Sequence, residues 1–166
     1  LSGNNTVAMG IYYEAVVRWV GRATNVMARA KTFTRQRLDE NGELQPVVVP
    51  EHLDVVANLE SGAQLHLQQS AVTALLQDDA IYLFGSEGTL RLTSDQLFGG
   101  RKGDEQLTEI SIADGERGEW QVGFDFVAAI RGERGGTHTT FADGVHYMEF
   151  TDAVARSIRS GRLEAV

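Results

Sequence analysis

The stretch Val7-Ala8-Met9-Gly10-Ile11-Tyr12-Tyr13-Glu14-Ala15-Val16-Val17-Arg18-Trp19-Val20-Gly21 decides how the rest of the chain is read. Val7, Ile11, Ala15 and Trp19 recur four residues apart, and Tyr12, Val16 and Val20 form a second apolar row beside them. That spacing predicts a helix from about Thr6 to Val20. Two apolar rows predict a helix buried among other elements, not one lying on a surface. Gly21 suits the residue after a helix end, and Arg18 and Arg22 suit the negative end of the helix dipole.

Beyond Gly21 the period changes from helical to alternating. Val26, Ala28, Ala30 and Thr32 fall on one side of a strand running from about Thr24 to Arg37, with Arg29, Lys31, Phe33, Arg35 and Arg37 on the other. Asp39-Glu40-Asn41-Gly42 is a turn, and Val47-Val48-Val49 between two prolines reads as an edge segment. Leu53, Val55, Ala57 and Leu59 alternate with Asp54, Val56 and Asn58, and Ala63, Leu65 and Leu67 resume the alternation after Ser61-Gly62, which makes a hairpin. Ala80–Phe84 and Thr89–Leu92 flank Gly85-Ser86-Glu87-Gly88 in the same way, and Leu97-Phe98 and Leu107–Ile112 add two short strands. Helical spacing returns at Trp120–Ile130. It returns again after Thr140-Phe141-Ala142-Asp143, a capping pattern, with Tyr147, Phe150, Val154 and Ile158 facing inward and Gly161 at the stop. One helix, a run of hairpin-linked strands and two closing helices predict an α+β domain: a large open, mostly antiparallel sheet with helices packed on one face.

Composition sets the outer limits. The 166 residues suit one domain, expected to span 1–166, and 42% hydrophobic content can fill a normal core. Fifteen basic against twenty-three acidic side chains leave a net charge of -8, which argues against nucleic acid or an anionic membrane as partner. No apolar run approaches the roughly 20 residues that span a bilayer, and Leu1–Thr6 show no secretion signal, so a cytoplasmic protein is expected. The absence of cysteine excludes disulfides, thiol nucleophiles and thiolate metal sites.

Three segments carry a family resemblance: Met9-Gly10 with Arg18-Trp19-Val20-Gly21, the hairpin Ile81–Leu92 through Gly85-Ser86-Glu87-Gly88-Thr89, and Phe141-Ala142-Asp143-Gly144-Val145-His146-Tyr147 through Ala153, Ser157 and Gly161. In this order they resemble the C-terminal domain of the glucose–fructose oxidoreductase / inositol dehydrogenase / rhizopine catabolism (Gfo/Idh/MocA) family. The resemblance implies an N-terminal Rossmann domain, lying outside this chain, that binds NAD or NADP in the full-length protein. It also implies a sugar- or polyol-like substrate oxidised or reduced by hydride transfer, and a homo-dimer or tetramer through the sheet face. No Gly-x-Gly-x-x-Gly turn occurs here, so no dinucleotide is expected to bind this chain alone, and the chain alone is expected to be inactive.

The family carries an Asp and, four residues later, a His on the opening helix. An imidazole held by a carboxylate is a suitable base for a hydroxyl proton. Alignment on Arg18-Trp19 places Ala8 at the Asp position and Tyr12 at the His position. Tyrosine, with an ordinary pKa of about 10, serves as a hydrogen-bond donor or acid, not as a neutral-pH base. Two readings follow: Tyr12 supports a modified redox mechanism, or the domain is a non-catalytic ligand-binding or assembly module. Tyr13 and His138 are the candidate substrate-binding residues, with packing at a helix–sheet boundary as the alternative for the tyrosines. His52, His66 and Asp54 fall together on a polar strand face, where no metal site is expected. Trp120 reads as a core anchor, the alternative being a sugar-stacking platform, and Arg29, Lys31, Arg35 and Arg37 as a stripe paired with carboxylates.

Overall fold

The computed structural model describes residues 6–75, 79–116, 118, 120–133 and 139–166. Helix α1 (Met9–Val20) follows a short 3-10 turn at Thr6–Ala8, and α2 (Val122–Ile130) and α3 (Phe141–Ser160) come late, as the spacing predicts. Between α1 and α2 lie strands β1 (Ala23–Lys31), β2 (Gln36–Leu38), β3 (Leu44–Pro46), β4 (His52–Leu59), β5 (Gln64–Ser70), β6 (Ile81–Phe84), β7 (Gly88–Leu92), β8 (Leu97–Arg101) and β9 (Thr108–Ile110), and β10 (Glu164–Ala165) ends the chain. Every described strand pair is antiparallel, and the sheets are open. The α+β class is therefore as read from the sequence. The strands divide into a four-stranded sheet ordered β10-β1-β4-β5, a ribbon β2-β3, and a second four-stranded sheet ordered β6-β7-β8-β9.

The chain forms two compact units, one from residues 1–73 and 138–166, the other from 74–137. In the first, α1 and α3 cover one face of the β1-β4-β5 sheet. The core consists of Met9 and Tyr13 from α1, Val26 and Ala28 from β1, Leu53, Val55 and Ala57 from β4, and Phe150, Ala153 and Val154 from α3. The register fixes this: Ala28 pairs with Val55, and Arg29 with Asp54, so alternation sends the small and branched residues inward and the charged ones outward. At the end of α3, Gly161 takes φ +66° and returns its N–H to the Ser157 carbonyl, a helix stop that a Cβ would strain.

Three expectations need correction. The long strand stops at Lys31, and the chain resumes as β2 at Gln36. The Glu51 carboxylate takes the backbone N–H groups of Phe33 (2.9 Å) and Thr34 (2.7 Å) out of any ladder and pairs with Arg37. Helix α1 is buried on one side only: Ile11 is 68% exposed, because nothing in this unit covers the row opposite Met9, Tyr13 and Val16. Trp120 lies outside α2 and is 85% exposed, so it anchors no core. Apolar spacing marks a side that can be buried; burial requires a packing partner.

Candidate functional site

The site named by the sequence is the first half of α1. Its start is unusual: Val7 (φ 44°) and Ala8 (φ 59°) both take left-handed backbone, and Ala8, at the helix N-cap, has no side chain with which to cap it. Left-handed backbone costs a non-glycine residue roughly 1–2 kcal/mol, and more strongly disfavours a β-branched one. Such conformations collect where a fold holds its chain for function.

One turn on, the two tyrosines separate. Tyr12 is half-buried, whereas Tyr13 is 1% exposed and points into the core. The hydroxyl of Tyr13 lies 2.7 Å from Nε2 of His146 on α3 and accepts the backbone N–H of Ala23 at 2.9 Å. Its ring stacks on Phe150, with centroids 3.5 Å apart and planes 4° from parallel, and meets Tyr147 edge-on. Burial raises the Tyr13 hydroxyl above its usual pKa. Burial, reinforced by the Arg22 guanidinium, holds His146 below the ordinary imidazole value. His146 is 8% exposed.

The C-terminal half of α1 is tied to the start of α3. Arg18 pairs with Glu14 and donates to the Thr139 hydroxyl at 2.9 Å, and Arg22 reaches Asp143 at 3.1 Å. Asp143 also closes the capping box with Thr140. The Thr140 backbone N–H and hydroxyl, then Arg22, keep its carboxyl below the usual range. His138 lies outside the described residues.

On the opposite face of the sheet, His52 Nε2 and Asp54 Oδ2 are 3.0 Å apart, and Gln68 donates to Asp54 at 2.9 Å. His66 pairs across with Val56, one diagonal from Asp54. Gln68 and His52 lower the Asp54 pKa. Among the described residues no group of three or more acids and histidines has metal-site geometry. Of the basic stripe, Arg37 pairs with Glu51, and Lys31 sits 5.9 Å from the centre of the Phe33 ring.

No protein-family model matches the sequence, and no curated protein matches it. Solved structures do. A levoglucosan dehydrogenase in complex with NADH and L-sorbose superposes with a TM-score of 0.79 at 18% identity, covering 95% of this chain and 48% of that one. An NAD binding oxidoreductase from Klebsiella pneumoniae gives 0.77 at 19% identity, covering 100% of this chain and 54% of that one. Over its length the chain shares the fold of part of these oxidoreductase structures. The WlbA dehydrogenase from Bordetella pertussis, in complex with NADH and UDP-GlcNAcA, aligns over 96% of this chain and 43% of its own at TM-score 0.68 and 17% identity. The chain thus spans about half the length of the structures it matches.

A dinucleotide site of the Gly-x-Gly-x-x-Gly kind needs parallel strands with a glycine turn opening a helix between them. The described strands pair antiparallel throughout, and the glycines at 99–100 lie inside β8. The described residues build a helix whose first turn, around Tyr12, is held from behind by Tyr13.

Proposed function

We propose that this chain is the C-terminal, substrate-side domain of an NAD(P)-dependent oxidoreductase, following a nucleotide-binding Rossmann domain in the native polypeptide. The substrate is a sugar- or polyol-like alcohol or its ketone, interconverted by hydride transfer. The observation that carries the reading is a match over 95–100% of this chain with only 48–54% of two oxidoreductase chains, one of them a levoglucosan dehydrogenase in complex with NADH and L-sorbose. Under this reading Tyr12 is the catalytic residue, presented at the position where the family has its His, and His138 is on the substrate side; Tyr13, expected there from the sequence, is instead buried with its hydroxyl engaged by His146 and Ala23, so it packs behind Tyr12 and meets no substrate. The nicotinamide cofactor belongs to the other domain, and this chain alone is inactive. The open face of the β1-β4-β5 sheet, carrying Met27, Arg29, Asp54, Val56 and His66, forms a homo-dimer or tetramer in the cytoplasm.

The test is nicotinamide absorbance in the complete polypeptide with NAD⁺ and NADP⁺ over a panel of polyols and sugars. Turnover that Tyr12→Phe lowers by about 100-fold supports the assignment, at the lower end of what a positioned acid or base contributes. A folded protein that turns over nothing on the panel overturns it.

A second reading is favoured by one observation. Ala8 stands at the family's Asp position in left-handed backbone and supplies no carboxylate to orient a base. On this reading the domain keeps the fold for ligand binding or assembly. It predicts association, measured by sedimentation, without turnover.

A further inference from the structure

The core of the first unit contains a polar pair that the proposed reaction does not use. Tyr13 on α1 and His146 on α3 are 133 residues apart in sequence, and both are buried. Counting protons decides how the pair works. A tyrosine hydroxyl has one proton to give. The Ala23 N–H points at the oxygen from 2.9 Å, so that contact uses the oxygen as acceptor. The hydroxyl proton therefore goes to His146 Nε2 at 2.7 Å, which must be unprotonated to receive it. The imidazole is then neutral, with its proton on Nδ1, facing Glu149 Oε2 at 3.8 Å. The relay runs in one direction: strand β1 to α1 to α3.

We infer that Tyr13 and His146 are positioning residues for Tyr12, the neutral imidazole fixing the rotation of α1 by accepting the Tyr13 hydroxyl and releasing it on protonation. The inference rests on the reading of Tyr12 as the site residue. Neighbouring residues on a helix are about 100° apart, so a locked Tyr13 sets where Tyr12 stands. The lock is tight because the Tyr13 ring is also stacked on Phe150. An imidazolium would place a second N–H against the tyrosine oxygen. That oxygen would then accept twice, and its own proton would have no acceptor in a pocket walled by Phe150 and Tyr147. The charged groups around the imidazole are Arg22 after α1, Glu60 in the β4–β5 turn, and Asp143 and Glu149 on α3. The arginine and the burial oppose protonation while the three carboxylates favour it, and the net effect is a lowered imidazole pKa.

The experiment uses the chain labelled with ¹⁵N-histidine and 3-fluorotyrosine, with the Tyr12 resonance assigned by Tyr12→Phe. The expected results are an Nδ1–H tautomer at neutral pH and a Tyr12 fluorine signal that shifts as His146 titrates on acidification. His146→Gln keeps an acceptor that does not titrate; its Tyr12 signal should hold the neutral-pH position at every pH. Tyr13→Phe should sit near the acid position throughout. An Nε2–H tautomer, or a Tyr12 signal indifferent to both the His146 titration and Tyr13→Phe, overturns the inference. Because no turnover is measured, failure here is distinct from failure of the oxidoreductase reading, which the nicotinamide assay decides alone.

Discussion

Removing one oxygen from the centre of the first unit should cost more stability than any surface change to it. Ser157 on α3 is fully buried, and its hydroxyl accepts the Ala28 N–H at 2.9 Å while donating to the Arg162 carbonyl at 2.6 Å. The contact substitutes for a ladder bond: β10 pairs with β1 only at Asn25 and Val26, so the edge N–H of Ala28 turns to the helix. Ser157→Ala leaves that N–H buried and unpaired, at about 1–3 kcal/mol, and strips a donor from Arg162, at about 1 kcal/mol more. The sum is about 2–4 kcal/mol. For a chain of this length it corresponds to a fall of roughly 5–10 °C in Tm. The assay is urea unfolding followed by Trp19 fluorescence in a Trp120→Phe background, which leaves one tryptophan, on α1 of the same unit. A loss below about 0.5 kcal/mol, the scatter of ordinary surface substitutions, would refute the claim that Ser157 satisfies the strand.

Three further outcomes follow from other sites. Glu51 is held down to about 2, chiefly by the Thr34 N–H with help from Phe33 and Arg37, so it ionises more readily folded than unfolded. Its stabilising effect is complete above the unfolded pKa near 4.5 and is lost as pH falls toward 2; Glu51→Gln should flatten the acid limb of an unfolding-versus-pH curve over that window. At Gly88, an added Cβ would lie 2.3 Å from the Gly100 carbonyl, in backbone that cannot swing aside. Gly88→Ala should therefore force β7 from β8 and cost about 2 kcal/mol or more, visible as faster amide exchange on both strands. Thr140→Ala breaks the capping box with Asp143 and should cost about 1 kcal/mol by thermal melting, with the loss confined to helical signal from α3.

The sequence shows whatever is local. The capping box at Thr140 and Asp143, the glycine stop at 161, and the face alternation of β1, β4 and β5 can all be read from spacing, because each depends on neighbours within a few residues. The break at Phe33 cannot: alternation runs unbroken from Ala28 to Arg37, and the carboxylate that interrupts it comes from Glu51, across a loop. The exposure of Ile11 and Trp120 is invisible for the complementary reason, since apolar spacing carries no information about whether a covering surface exists. At the candidate site the position of Tyr12 comes from the resemblance alone. Nothing around Tyr13 announces a partner, and its histidine arrives from the far end of the chain.

The first unit is discontinuous in sequence: α3 and β10 come from one end of the chain, and α1 and β1–β5 from the other. On a ribosome the early strands emerge long before the helix that covers them. Until α3 is made, Val26, Leu53, Val55 and Ala57 have only α1 for shelter, and the Tyr13 hydroxyl waits for its imidazole. Long-range closure of this kind slows folding and leaves apolar surface open to wrong partners. A truncation that removes α3 takes Phe150, Ala153 and Val154 out of the core and uncovers the β1-β4 face they pack on.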